Sequence, residues 1–116
     1  WNPVPGYNEA VPMTAAGATS ARWSSGSPTV APSGATFLSG SQWRSYNGAL
    51  AVATLKGSAL RVQFYDAAGN LGGEVVPAAL NGAYGRLRAV TQGPDGALYI
   101  GTSNGGTDRI LRVTPS

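Results

Sequence analysis

The sequence contains no cysteine and no histidine, and only 11% of its 116 residues are charged. Without cysteine there is no disulfide, no thiolate nucleophile and no cysteine-based metal site. Without histidine the chain lacks the commonest general base and the commonest transition-metal ligand. No apolar run approaches the roughly 20 residues of a membrane-spanning helix. The eight basic and five acidic residues leave a net charge of +3. The basic residues are dispersed, which argues against nucleic acid as a partner. With 42% hydrophobic residues the chain is too apolar and too weakly charged for a disordered segment. No window holds a 3.6-residue period over two turns, so amphipathic helices are not expected. An initiator Met and a signal-peptide pattern are also missing, since the chain opens on Trp1-Asn2-Pro3. It therefore reads as a processed product or a piece of something longer.

What the chain does have is 17 glycines and 8 prolines. Residues 1–34 are rich in Pro, Gly, Ser, Thr and Ala, as in Trp1-Asn2-Pro3-Val4-Pro5-Gly6. Each Pro fixes φ and removes a donor, so this stretch reads as an irregular loop segment. From Ala35 onward short apolar runs alternate with turn formers such as Asn47-Gly48, Lys56-Gly57-Ser58, Pro94-Asp95-Gly96 and Asn104-Gly105-Gly106. Seven strands are expected, over 35–39, 50–54, 59–65, 74–78, 86–92, 97–102 and 109–113. The fold class is all-β.

A repeat sharpens that reading. Sliding the chain by 48 positions lays Asn47-Gly48-Ala49-Leu50 on Asp95-Gly96-Ala97-Leu98, Thr54 on Thr102, Gly57 on Gly105 and Arg61 on Arg109. The spacing matches the roughly 40–50 residues of one four-stranded propeller blade. A seven-stranded sandwich would not need matching residues at matching offsets. The expected organisation is one blade over 35–80 with four strands and a last, incomplete blade of three over 81–116. Two blades cannot close a ring of four to eight, so the chain requires further blades or further copies of itself.

Five segments in order resemble the C-terminal part of the soluble quinoprotein glucose, sorbosone and aldose dehydrogenases. They are Ser27-Pro28-Thr29-Val30-Ala31-Pro32-Ser33, Leu50-Ala51-Val52-Ala53-Thr54-Leu55-Lys56-Gly57, Tyr84-Gly85-Arg86-Leu87-Arg88-Ala89-Val90, Gly93-Pro94-Asp95-Gly96-Ala97-Leu98-Tyr99 and Asp108-Arg109-Ile110-Leu111-Arg112-Val113. The resemblance implies a six-bladed propeller carrying pyrroloquinoline quinone (PQQ) over its central channel. It also implies that Lys56 faces the quinone, that Arg86 and Arg88 lie near the carboxylates, and that Thr29 hydrogen-bonds the cofactor. PQQ has three carboxylates and an ortho-quinone, which call for cationic donors. The period of a strand would put Arg86 and Arg88 on one face.

Each of these residues also has a plainer use. Lys56 before Gly57 fits a solvated turn lysine, and Thr29 in Ser-Pro-Thr fits ordinary loop chemistry. Arg86 and Arg88 fit an exposed strand whose long stems cover apolar neighbours. Trp43 and Tyr46 fit sugar stacking or hairpin packing, and Asp95 and Asp108 fit turns. In one respect the sequence departs from the glucose enzymes, which place large aromatic residues where Ser24 and Ser27 stand, with only Trp23 nearby.

By the resemblance, the catalytic histidine and the calcium site belong to earlier blades, so this chain would hold no catalytic residue and no metal ligand. It would supply cofactor-binding cations to a PQQ-dependent sugar dehydrogenase acting in the periplasm or as a secreted protein, and alone it would be inactive. The alternative is a non-enzymatic carbohydrate-binding or self-assembling module, three copies making one ring.

Overall fold

The computed structural model describes residues 21–116. Seven strands follow in order: β1 Pro32–Phe37, β2 Leu50–Thr54, β3 Ala59–Tyr65, β4 Leu71–Val75, β5 Leu87–Gln92, β6 Leu98–Thr102 and β7 Ile110–Val113. They form two antiparallel sheets, β1-β2-β3-β4 and β5-β6-β7, each with its strands in chain order. The only helices among the described residues are short 3-10 segments, Ser41–Tyr46 and Ala78–Leu80. Neither is long enough to cross a membrane. The all-β, blade-like reading holds, with four strands in the first sheet and three in the second.

Two strands lie elsewhere than the sequence pattern suggests. The fourth spans Leu71–Val75 rather than 74–78. Asp66 closes a tight turn directly after β3, its carboxylate Oδ1 accepting the N–H groups of Ala68 and Asn70. Pairing therefore resumes at once, Tyr65 opposite Leu71, and Pro77, which has no donor, ends the ladder before the second 3-10 segment. The first strand begins three residues early, at Pro32. A proline is tolerated there because it opens an edge strand.

The offset of 48 lays β2 on β6 without a gap, yet β1 and β5 are related by 55, with Phe37 opposite Leu50 as Gln92 is opposite Leu98. The seven extra residues lie in the β1–β2 connection, residues 38–49, which holds the Ser41–Tyr46 segment; the β5–β6 connection is the short turn 93–97. Each inner strand also carries a bulge at the corresponding place, between Pro32 and Ala35 in β1 and between Leu87 and Ala89 in β5. The sheets are two copies of one unit.

The sheets face each other over one core. Ala51, Ala53, Leu60 and Val62 from the first sheet meet Leu87, Val90, Leu98 and Ile100 from the second, closed by Leu38, Trp43 and Leu80. Each large aliphatic side chain so buried contributes about 1.5–3 kcal/mol. Trp43 is 6% exposed, and its Nε1–H donates to the Gly96 carbonyl at 2.8 Å. Tyr46 packs on Phe64 with ring centres 5.7 Å apart.

The edge strands β1 and β5 run side by side in the same direction. Near their starts, a Cβ on Gly34 would stand 3.0 Å from Ala89 Cα, the Arg88 carbonyl and the Val90 nitrogen. Near their ends, Gln92 accepts the Ser39 N–H at 2.9 Å and donates to the Ser39 carbonyl at 2.6 Å. Parallel inner strands put the beginnings of β1 and β5, the β2–β3 turn and the β6–β7 loop at one end of the molecule.

Candidate functional site

That shared end is built twice from the same plan. In the first sheet, the segment before β1 docks on the β2–β3 turn, where the Leu55 N–H donates to the Ala31 carbonyl and the Gly57 N–H to the Val30 carbonyl, both at 2.9 Å. These two bonds flank Lys56, whose side chain is exposed. Gly57 permits the docking, since a Cβ there would lie 2.8 Å from Thr54 Oγ1 and 3.1 Å from Val30 Cβ. The exposed Thr29 spends one lone pair of Oγ1 on the Ala31 N–H at 3.0 Å, which leaves its hydroxyl hydrogen and the other lone pair for a ligand.

In the second sheet, the Ser103 N–H donates to the Arg86 carbonyl at 3.0 Å. By the offsets of 48 and 55 this is the counterpart of the Leu55–Ala31 bond. Arg86 stands just before β5 and Arg88 within its bulge, and both are exposed. Arg86 lies one residue before the strand, and exposure alternates through Arg86, Leu87 and Arg88 before the bulge interrupts it at Ala89. Leu87 between them is buried at 1% exposure, which anchors the segment while both guanidinium groups remain in solvent.

Each of the four side-chain carboxylates among the described residues is already engaged, and one of them, Asp108, lies at this end, where it accepts only neutral donors of its own loop. Glu74 pairs with Arg61, and Asp95 with Arg112 at 2.9 Å. Asp66 closes the β3–β4 turn. Asp108 accepts from Asn104 N–H at 2.6 Å, Thr102 Oγ1–H at 2.9 Å and Gly105 N–H at 3.1 Å within the β6–β7 loop. All three aspartates are held below the ordinary carboxylate range. The main causes are the Asn70 N–H for Asp66, the Tyr99 hydroxyl and then Arg112 for Asp95, and the Asn104 N–H for Asp108. Lys56, Arg86 and Arg88 make no ion pair among the described residues. A planar polyanion is the ligand this donor set suits.

Other residues named from the sequence are structural. Asp95 and Asp108 shape turns, and Trp43 is too buried to stack on a sugar. Trp23 does not lean toward the candidate site, for its ring lies 5.6 Å from the Arg61 guanidinium on the outer face of the first sheet. There Arg61 and Gln63 both bond Glu74, and the Tyr65 hydroxyl donates to Gln63. A groove of about 630 Å³ lined by Leu38, Trp43, Leu60, Leu80 and Val113 opens at the outer margin between the sheets. None of the four candidate residues lines it. Sequence reasoning missed Gly34, Gln92 and Asn104, because a Gly in a strand, a strand-end Gln and an Asn-Gly pair signal local geometry and say nothing of long-range partners.

Residues 6–112 match the family described as Glucose / Sorbosone dehydrogenase. Among solved structures, a glucose dehydrogenase superposes with a TM-score of 0.66 at 28% identity, covering 75% of this chain and 24% of that one. A second glucose dehydrogenase gives 0.64 at 29% identity over 73% of this chain and 24% of its own. A putative oxidoreductase (glucose dehydrogenase) from Thermus thermophilus gives 0.56 at 38% identity, covering 70% and 25%. No curated protein matches the chain in sequence. The chain thus spans about a quarter of the length of these solved structures.

Proposed function

The chain belongs to the glucose/sorbosone dehydrogenase family, and from that premise we propose that it is the C-terminal propeller portion of a PQQ-dependent sugar dehydrogenase. Its part is to hold the cofactor. The observation that carries this reading is that Lys56, Arg86 and Arg88, which make no ion pair among the described residues, lie with Thr29 at one end of two adjacent sheets. When bound, PQQ supplies the two-electron acceptor for sugar oxidation. Arg86 and Arg88 would hold its carboxylates, Lys56 would face the quinone, and Thr29 would offer a hydroxyl. Backbone docking fixes where the Lys56 and Arg86 side chains leave the chain, and the exposed cationic groups themselves order on binding.

The base that takes the sugar hydroxyl proton and the calcium site are placed on the remaining blades, which are also the partner that covers this chain's open margins. Exposed apolar residues, Ile110 at 80% on the edge strand β7 and Phe37 at 64% on β1, support such a partner. Further copies of this chain are the second possible cover, and sedimentation separates the two, since a six-bladed ring of two-blade chains is a trimer. A periplasmic or secreted location follows from the cofactor class.

The test is a titration of the ¹⁵N-labelled chain with PQQ at millimolar concentration, followed by amide shifts. Saturating shifts clustered at Thr29, Lys56, Arg86 and Arg88, reduced by added salt, are expected. Shifts spread over unrelated surfaces, or none, would overturn the reading.

A further inference from the structure

Asn104 occupies, by the offset of 48, the position that Lys56 holds in the first sheet. Asn104 is exposed as Lys56 is, but its side chain bends back onto the segment that leads into β5. Oδ1 accepts the Arg86 N–H at 2.9 Å, and Nδ2 donates to the Tyr84 carbonyl at 2.8 Å. One planar group carrying both a donor and an acceptor bridges the two ends of the turn. Gly85 between them has φ +70, and a Cβ there would overlap the Asn104 amide. In the first sheet the corresponding N–H, on Ala31, is met by the neighbouring Thr29 hydroxyl. In the second sheet a residue eighteen positions away takes over that task.

The Asn104 amide is itself anchored. Asp108 accepts its backbone N–H, and Thr102 Oγ1 donates to Asp108 while accepting the Arg109 N–H at 2.8 Å. With Ser103 bonded to the Arg86 carbonyl, both backbone polar groups of Arg86 are tied to the β6–β7 loop. Its side chain makes no ion pair among the described residues.

We propose that Asn104 is a positioning residue for Arg86, fixing where the guanidinium meets a carboxylate of the cofactor. This rests on the reading that Arg86 binds PQQ. The Asn104→Ala variant of the full chain should weaken PQQ binding by about tenfold in the amide-shift titration and speed hydrogen exchange at the Arg86 N–H. Asn104→Asp keeps an acceptor for that N–H, so exchange there should stay slow. Thr107→Ala, an exposed neighbour in the same loop, should change neither readout. If the wild-type chain shows no shifts at the candidate residues, both the site and this role fall. If it does and Asn104→Ala binds PQQ as tightly as wild type, or leaves Arg86 exchange unchanged, the positioning role alone is overturned. Should Asn104→Ala fail to fold, Asp108→Asn serves. It loosens the same loop, should weaken binding about threefold, and sinks the proposal if affinity is unchanged.

Discussion

Gly34 of β1 lies directly against Ala89 of β5, with room for a hydrogen and nothing larger: a methyl group would stand 3.0 Å from Ala89 Cα and as close to two further backbone atoms. Backbone cannot yield as a flexible side chain can. Gly34→Ala should therefore destabilise the chain by about 1–3 kcal/mol, read as a lower urea midpoint with unchanged m. The same substitution pushes on the Arg88 carbonyl, so PQQ-dependent shifts at Arg88 should weaken with it. Wild-type stability would show that the two inner strands are not in register as described.

At the other end of those strands, Gln92 holds Ser39 by both of its backbone groups and also donates to the Gly96 carbonyl at 2.9 Å. Gln92→Ala removes all three bonds and leaves the Ser39 groups to water. The expected loss is about 1–3 kcal/mol, measured by denaturant unfolding. Gln92→Glu keeps the acceptor but not the donor and should fall between.

Trp43 joins the irregular β1–β2 connection to the core. Trp43→Phe keeps most of the buried area but loses the bond to the Gly96 carbonyl, which retains Gln92 as a donor, so a cost near 1 kcal/mol is expected. Trp43→Ala should cost about 3–5 kcal/mol. Equal losses would mean that the hydrogen bond rather than the packing dominates.

The strands and their order were legible because Gly, Asn and Pro punctuate short apolar runs, and the repeat was legible because β2 and β6 keep an unbroken offset. The change of offset at β1 was not, since the Ser41–Tyr46 segment has too little helical period to announce itself. Lys56, Arg86 and Arg88 could be named from motif resemblance, but their common end follows from Gly34 and Gln92 aligning β1 with β5. Those are contacts between residues more than fifty positions apart, and no local pattern carries them. The bulge at Arg88 was hidden for a related reason. Sequence alternation assumes an uninterrupted ladder, and Leu87 and Val90 are both buried with two exposed residues between them.

Acid should loosen the two turn-forming aspartates. Asp66 and Asp108 have folded pKa values lowered by the N–H groups they accept. A lowered folded value means the unfolded chain binds protons first as pH falls. Their stabilisation is thus fully present above the unfolded value of about 3.9 and is lost as pH drops through the folded one. Protection of the Ala68, Asn70, Asn104 and Gly105 amides, taken relative to intrinsic exchange at each pH, should fall below pH 4 and hold steady between pH 5 and 8. Asp108→Asn should remove the acid dependence at Asn104 and Gly105 only. Protection at those amides that persists unchanged to pH 2 would contradict the assignment.

The chain alone should not oxidise sugar even when it binds cofactor. Taking a hydroxyl proton requires a base with an affinity near neutral pH, placed within hydrogen-bond reach of the substrate. There is no histidine, and each described carboxylate already accepts hydrogen bonds or pairs with an arginine. The three aspartates are further weakened as bases by the donors that lower their pKa values. Lys56, Arg86 and Arg88 are suited to bind and orient an anion. Mixing the purified chain with PQQ, calcium, an aldose and a dye acceptor should therefore give no reduction above the blank, even at concentrations where amide shifts report binding. Dye reduction that scales with chain concentration would mean that a proton acceptor exists within these 116 residues, and would move the catalytic centre onto the two sheets described above.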